Sequence, residues 1–167
     1  PEMKSTGEVI GIDYDFGRAF YKASQAADNT LPLVGNVFIS VTDSQKPEIL
    51  PIAKKLHDLG FTLYGTVGTV RYMENNGVPM SLVRKVQEGS PNIIDMIRGA
   101  DVDLVINTPG DKNARADHFQ MMRATIDYSI PYVTTIFGAE AAALAIESMK
   151  KNPITIEPLS HYHSEYQ

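Results

Sequence analysis

Cysteine is missing from this chain, which removes disulfides, thiolate metal ligands and cysteine nucleophiles together and fits a reducing, cytoplasmic setting. No apolar run reaches the roughly 18 residues that a membrane-spanning helix needs, and nothing resembles a signal peptide. Neither phosphate-loop pattern, G-x-x-x-x-G-K-[ST] or G-x-G-x-x-G, occurs. Positive charge is in deficit: 15 Lys and Arg stand against 20 Asp and Glu, a formal net charge of −5. That balance argues against nucleic acid as the main partner and still allows a local basic pocket. Internal repeats and low-complexity segments are absent too. The first residue is Pro1 rather than Met, which fits either methionine removal or a piece of a longer chain.

What is present is enough for one domain with a proper core: 167 residues, 43% of them hydrophobic. Phe16, Ala19, Phe20, Ala23 and Ala27 recur at helical spacing, so 15–27 is expected to be an amphipathic helix. A β-branched run at 36–41 reads as a strand. After it come the polar turn Thr42-Asp-Ser-Gln-Lys46 and a helix carrying Ile49, Leu50, Ala53, Leu56 and Leu59, stopped by Gly60. Pro47 suits the first turn of that helix, and Pro51 predicts a bend or a late start. Further strands are expected at 61–64, 81–86, 103–107 and 131–135, and further helices after Thr69 and at 93–97, 116–128 and 139–149. Residues from 150 onward read as a mixed tail in which His161 and His163 are solvated rather than metal-binding. Strands alternating with helices, several of them near-continuously apolar, indicate an α/β fold: a mainly parallel five-stranded sheet with helices on both faces, a three-layer sandwich.

The chain is organised around Phe61-Thr-Leu-Tyr-Gly-Thr-Val-Gly-Thr69, a strand that breaks through glycines into a helix. Such a turn presents free backbone N–H groups and the positive end of the helix dipole. Thr66 and Thr69 add hydroxyls, and segments bearing Lys46 and Lys85 can close on the same place, so a phosphate cradle is expected. A purely structural reading competes, in which Gly65 and Gly68 make a tight turn and the threonines cap a helix. The other strand ends favour the cradle. Thr42, Asp43, Ser44 and Lys46 follow the first, Arg84 and Lys85 end the third, Asn107, Thr108, Gly110 and Lys112 follow the fourth, and Thr134 and Thr135 end the fifth. In an open α/β sheet, ligands bind beyond the carboxyl ends of the strands. A rim of this kind suits a phosphorylated sugar or nucleotide.

Gly65-Thr-Val-Gly-Thr69, Lys85-Val-Gln-Glu-Gly-Ser-Pro91, Leu104-Val-Ile-Asn-Thr108 and Tyr132-Val-Thr-Thr135 together resemble the methylglyoxal-synthase-like domain, above all the form that closes the large subunit of carbamoyl phosphate synthetases. Residues 1–9 and the helix beginning Asp15-Phe16-Gly17 resemble the exit from the second ATP-grasp half of that subunit. The resemblance implies a lead-in and linker helix at 1–30, the regulatory domain at 31–150 and a tail at 151–167. It implies a nucleotide effector (UMP, IMP or PRPP) held by Ser40, Lys46, Thr66, Gly68, Thr69, Lys85, Val86, Asn107 and Thr108. Thr134 is placed at the boundary with the synthetic half, where some members contact ornithine. The parent enzyme it implies is an ATP-dependent ligase of pyrimidine and arginine biosynthesis that uses glutamine, bicarbonate and Mg or Mn. A small glutaminase subunit and further copies of the large subunit would be its partners. This chain would itself need no cofactor and carry no catalysis. Pro109 and His118 depart from the family's hydroxyl residues, which puts the identity of the effector in question. Methylglyoxal synthases, lyases acting on dihydroxyacetone phosphate, are the competing relatives: Asp43-x-x-Lys46 fits their spacing and Asp95 lies near their catalytic aspartate. Their Gly-Gly-Asp-Gln run is Asn92-Ile-Ile-Asp-Met96 here, and their Trp-Asp-Pro is Asn107-Thr-Pro109, so Asp95 is expected to be a surface or capping residue. A docking or oligomerisation domain with a degenerate site is the third reading.

Overall fold

The computed structural model describes residues 9–108, 110 and 112–163. Five strands, β1 (Asn36–Ser40), β2 (Thr62–Gly65), β3 (Ser81–Leu82), β4 (Leu104–Asn107) and β5 (Tyr132–Val133), form one parallel sheet in the order β3-β2-β1-β4-β5. The interleaved helices are α1 (Phe16–Ala26), α2 (Lys46–Asp58), α3 (Val67–Asn75), α4 (Ile93–Arg98), α5 (Lys112–Asp127), α6 (Ile136–Lys151) and α7 (Leu159–His163).

An apolar strand buried on both faces sends alternate side chains into two different cores. Val37, Ile39, Leu104 and Ile106 join Leu63 beneath α1, α2, α3 and α6. Phe38 and Val105 point the other way, into a second cluster with Ile93, Ile94, Ile97 and Met121 from α4 and α5. Full burial of each such side chain is worth about 1.5–3 kcal/mol, so the sheet is held from both sides. The chain builds outward from β1 through β2 to β3, crosses back, and continues from β4 to β5. Helices of the outward leg lie on one face and those of the return leg on the other. The strand order therefore reverses between β1 and β4, where the two carboxyl ends lie in register, Ser40 beside Asn107.

Several elements differ from the sequence expectation. Helix α2 begins at Lys46 and carries Pro51 within its second turn rather than starting late. β3 stops at Leu82, well short of 86. As an edge strand it pairs on one side only, and beyond it local bonds replace the ladder. The Lys85 N–H donates to Glu88 Oε2 (2.9 Å), and the Arg84 guanidinium donates to the Ser90 carbonyl (3.1 Å). Arg84 and Lys85 thus sit in a loop leading to a 3-10 turn at Val86–Glu88, not on a strand. β5 ends at Val133 because Thr135 leaves the sheet to cap α6, its Oγ1 accepting the Gly138 N–H at 3.0 Å. The tail is also more ordered than expected. α7 packs back on the lead-in segment: the Tyr14 hydroxyl donates to the His161 carbonyl (3.3 Å) and Lys22 Nζ to the Tyr162 hydroxyl (3.3 Å). No helix among the described residues is long and apolar enough to cross a membrane.

Candidate functional site

At the reversal between β1 and β4 lies a hollow of about 620 Å³, the place an open α/β sheet reserves for ligands. Its floor is made where β2 turns into α3. Gly65 permits this turn: a Cβ there would lie 2.8 Å from the Ile39 carbonyl oxygen and 2.8 Å from Met80 Sδ. Thr66 is the N-cap of α3 but makes no side-chain capping bond, so the first N–H groups of that helix have no intrahelical or capping acceptor. Thr69, one turn in, is 1% exposed, and its Oγ1 is buried with no hydrogen-bond partner among the described residues. An unsatisfied buried hydroxyl costs about 1–3 kcal/mol, which a bound acceptor in the hollow would offset.

Two lysines flank this floor. Lys46, in the first turn of α2, places its ammonium above Gly68, close enough that a Cβ on the glycine would come within 3.2 Å of Nζ. It also pairs with Asp43 Oδ1 at 2.6 Å. The hydrogen bond from Lys46 holds the exposed Asp43 carboxyl below its usual pKa, and the charge of Lys85 adds to the effect. Lys85 approaches from the loop after β3. Two ammonium groups, a helix N-terminus and threonine hydroxyls make an anion seat in a protein of net negative charge.

The opposite wall comes from β4 and α5. Asn107 is 5% exposed; its Nδ2 donates to the Tyr132 hydroxyl (2.8 Å) and lies 3.3 Å from His118 Nδ1. The phenol is 2.8 Å from the same Nδ1, and burial raises its pKa, so it stays protonated. Thr108 and Thr42 both donate to Gln45 Oε1, at 2.6 and 2.9 Å, which ties the β4 end to the α2 entrance. Gln87 Nε2 donates to Asp117 Oδ1 (3.3 Å) across the mouth. Phe38, Val41, Val86, Ile93 and Met121 supply apolar lining, enough for a flat or ring-shaped group beside the anion.

Of the residues singled out in the sequence, Ser40, Lys46, Thr66, Gly68, Thr69, Lys85, Val86, Asn107 and Thr108 all line this one hollow. Thr134 does not; it is exposed just beyond β5. Pro109 and the side chain of Lys112 lie outside the described residues. Asp95 is not among the residues that line the hollow and is occupied as a cap: its Oδ2 accepts the Asn92 N–H (2.9 Å) while Asn92 Oδ1 accepts the Ile94 N–H (2.8 Å). The Asn92 bond lowers the Asp95 pKa. Gln45, Gln87 and Asp117 were not singled out. Gln45 lies inside the polar turn already flagged, and a search of that turn for amides would have found it. Gln87 and Asp117 lie 30 residues apart, on the 3-10 turn and on α5, and no local pattern shows that they meet.

Comparison with known proteins bears on the family and the fold. A family model described as "MGS-like domain" matches residues 48–134. The chain is 81% identical over 98% of its length to a carbamoyl phosphate synthase large chain from Methanocorpusculum labreanum. It is 66% identical, again over 98% of its length, to one from Methanoculleus marisnigri. It spans only 16% and 15% of those two proteins. Among solved structures, a methylglyoxal synthase from Elizabethkingia anophelis superposes with a TM-score of 0.54 at 18% identity, covering 80% of this chain and 92% of that one; at this identity the likeness is one of fold.

Proposed function

The chain belongs to the MGS-like domain family, and from that premise we propose that it is the nucleotide-binding regulatory domain of a carbamoyl phosphate synthase large chain. The observation that carries the reading is the Thr69 hydroxyl, buried without a partner in a hollow that also holds Lys46, Lys85 and the open N-terminus of α3. A phosphate on a nucleoside such as UMP or IMP, or the phosphate of PRPP, would supply the missing acceptor. The apolar lining and Asn107 would face the sugar and base. Within a parent ligase the effector would act through any difference in its affinity for two arrangements of domain and synthetic half, a coupling typically about 1–3 kcal/mol. The ATP, bicarbonate, glutamine, metal ions, glutaminase subunit and further copies of the large chain belong to that parent enzyme, and this domain carries no chemistry of its own.

The lyase reading is weaker because Asp95 is committed to the α4 cap. Among the described residues, the carboxylates that line the hollow are Asp43, paired with Lys46, and Asp117, bonded by Gln87. Titration calorimetry of the chain with UMP, IMP and PRPP tests the proposal, with dihydroxyacetone phosphate turnover as the contrasting assay. One of the three should bind, and Lys85→Ala or Lys46→Ala should weaken it about tenfold or more, the worth of a charge-assisted bond, without changing the melt. Nucleotide binding indifferent to Lys85→Ala would contradict the assignment. Turnover would support the lyase, and neither activity would leave a docking domain.

A further inference from the structure

We propose that Tyr132 and His118 are positioning residues that turn the Asn107 amide so that its carbonyl, Oδ1, is offered to a hydroxyl of the bound ligand. This rests on reading the hollow as the seat of a phosphorylated nucleoside.

A side-chain amide is a donor on one arm and an acceptor on the other, so its neighbours decide which arm a ligand meets. Here three polar atoms form a closed triangle: Asn107 Nδ2 to the Tyr132 hydroxyl at 2.8 Å, that hydroxyl to His118 Nδ1 at 2.8 Å, and Nδ2 to Nδ1 at 3.3 Å. The arrangement is satisfied when Nδ1 is the bare, accepting nitrogen of a neutral imidazole whose hydrogen sits on Nε2. The phenol then donates to Nδ1 and accepts from Nδ2. With Nδ2 held inward, Oδ1 is the arm turned away from the pair, on a residue that lines the hollow. If His118 could not accept, the phenol would donate to the amide instead, and Nδ2 would face the ligand.

The hollow is therefore polarised. Lys46, Thr69 and the α3 N-terminus are a donor end that attracts phosphate. Asn107 Oδ1 is an acceptor end that repels phosphate oxygens and welcomes an O–H. A ligand with both groups, a ribose bearing a phosphate, satisfies both ends.

The test is calorimetry of the chain with uridine and inosine 5′-monophosphates, their 2′- and 3′-deoxy counterparts and inorganic phosphate. The wild-type chain should prefer a ribonucleotide over at least one deoxy counterpart by about tenfold, the worth of one hydrogen bond. His118→Ala should bring that ratio near unity, and Tyr132→Phe should lower it, since only the 3.3 Å contact to His118 Nδ1 then holds Nδ2, while the affinity for inorganic phosphate holds in both. Adding Asn107→Asp to Tyr132→Phe should restore the preference, because a carboxylate accepts on both arms. An unchanged ratio in both single variants, or phosphate affinity falling in step with it, overturns the positioning role and leaves the site reading intact. A wild-type chain that binds none of these ligands overturns this inference, and one that fails to bind PRPP as well overturns the site reading with it. Two single variants on different elements, β5 and α5, keep the test open if one fails to fold.

Discussion

Thr69 has no structural excuse for its hydroxyl. Valine has the same branched shape, and replacing an unpaired buried polar group by an isostere is neutral or stabilising. Thr69→Val should therefore leave the thermal midpoint unchanged or raise it, yet weaken phosphate or nucleotide binding about tenfold; a melt with and without ligand reads both effects. A lowered midpoint with unaltered binding would make Thr69 an ordinary core residue. Gly65 should behave oppositely. A methyl there meets the backbone oxygen of Ile39, which cannot rotate away, as well as the mobile Met80 sulfur. Gly65→Ala should cost about 1–3 kcal/mol in denaturant unfolding, as overpacking does. Gly68 differs again, since its potential clash is with the flexible Lys46 ammonium; Gly68→Ala should displace the lysine and weaken anion binding with little loss of stability.

Elements with strong periodic signals were legible before any coordinates. The β2–α3 turn, the apolar strands β1 and β4, and the helical faces of α1, α2 and α6 all follow from spacing and turn residues. Lys46, Thr66 and Asn107 could be placed together because each follows a strand, and strand ends in a parallel sheet converge. The ends of the edge strands were not legible, although both strands were expected. β3 and β5 lie at the two margins of the sheet, where pairing on one side lets Glu88 and Thr135 side chains take the backbone instead. The Asn107–Tyr132–His118 triangle was hidden for a similar reason: it joins two strands and a helix whose register no local pattern encodes. α4 offers a test at this scale. Asn92 and Asp95 form a reciprocal cap on a short helix, and loss of such a cap costs about 0.5–2 kcal/mol. Asp95→Ala should lower stability within that range and leave nucleotide affinity untouched; a loss of binding instead would make Asp95 a ligand contact.

Across the whole molecule, ion pairs on the face covered by α1, α2 and α6 stand apart from the hollow. Asp13, its side chain 3% exposed, receives Arg18 Nη2 at 2.7 Å and Lys22 Nζ at 2.8 Å. Burial alone would raise its carboxyl, but those bonds outweigh it and hold the group well below the carboxylate range. Glu147 on α6 is bonded by Lys151 and by Lys55 of α2, both at 2.6 Å, which hold it down at about 2. A carboxylate depressed by folding stabilises the protein above its unfolded pKa and loses that contribution as pH falls through the folded value. For Glu147 the window runs from about 4.5 down to about 2, and Asp13 extends the loss to still lower pH. The thermal midpoint of the wild-type chain should thus fall steeply below pH 4.5. Glu147→Gln and Asp13→Asn should each start lower at pH 7, fall less steeply, and approach the wild-type curve in acid. Melts from pH 7 to pH 2 check this, and curves that stay parallel throughout would show that neither the Asp13 pairs, which tie the lead-in segment to α1, nor the Glu147 pair, which ties α2 to α6, contributes to stability. Since Lys46 and Lys85 take no part in these pairs, nucleotide affinity measured at pH 7 should be the same in both variants as in the wild-type chain, which separates the structural charges from those that face a ligand.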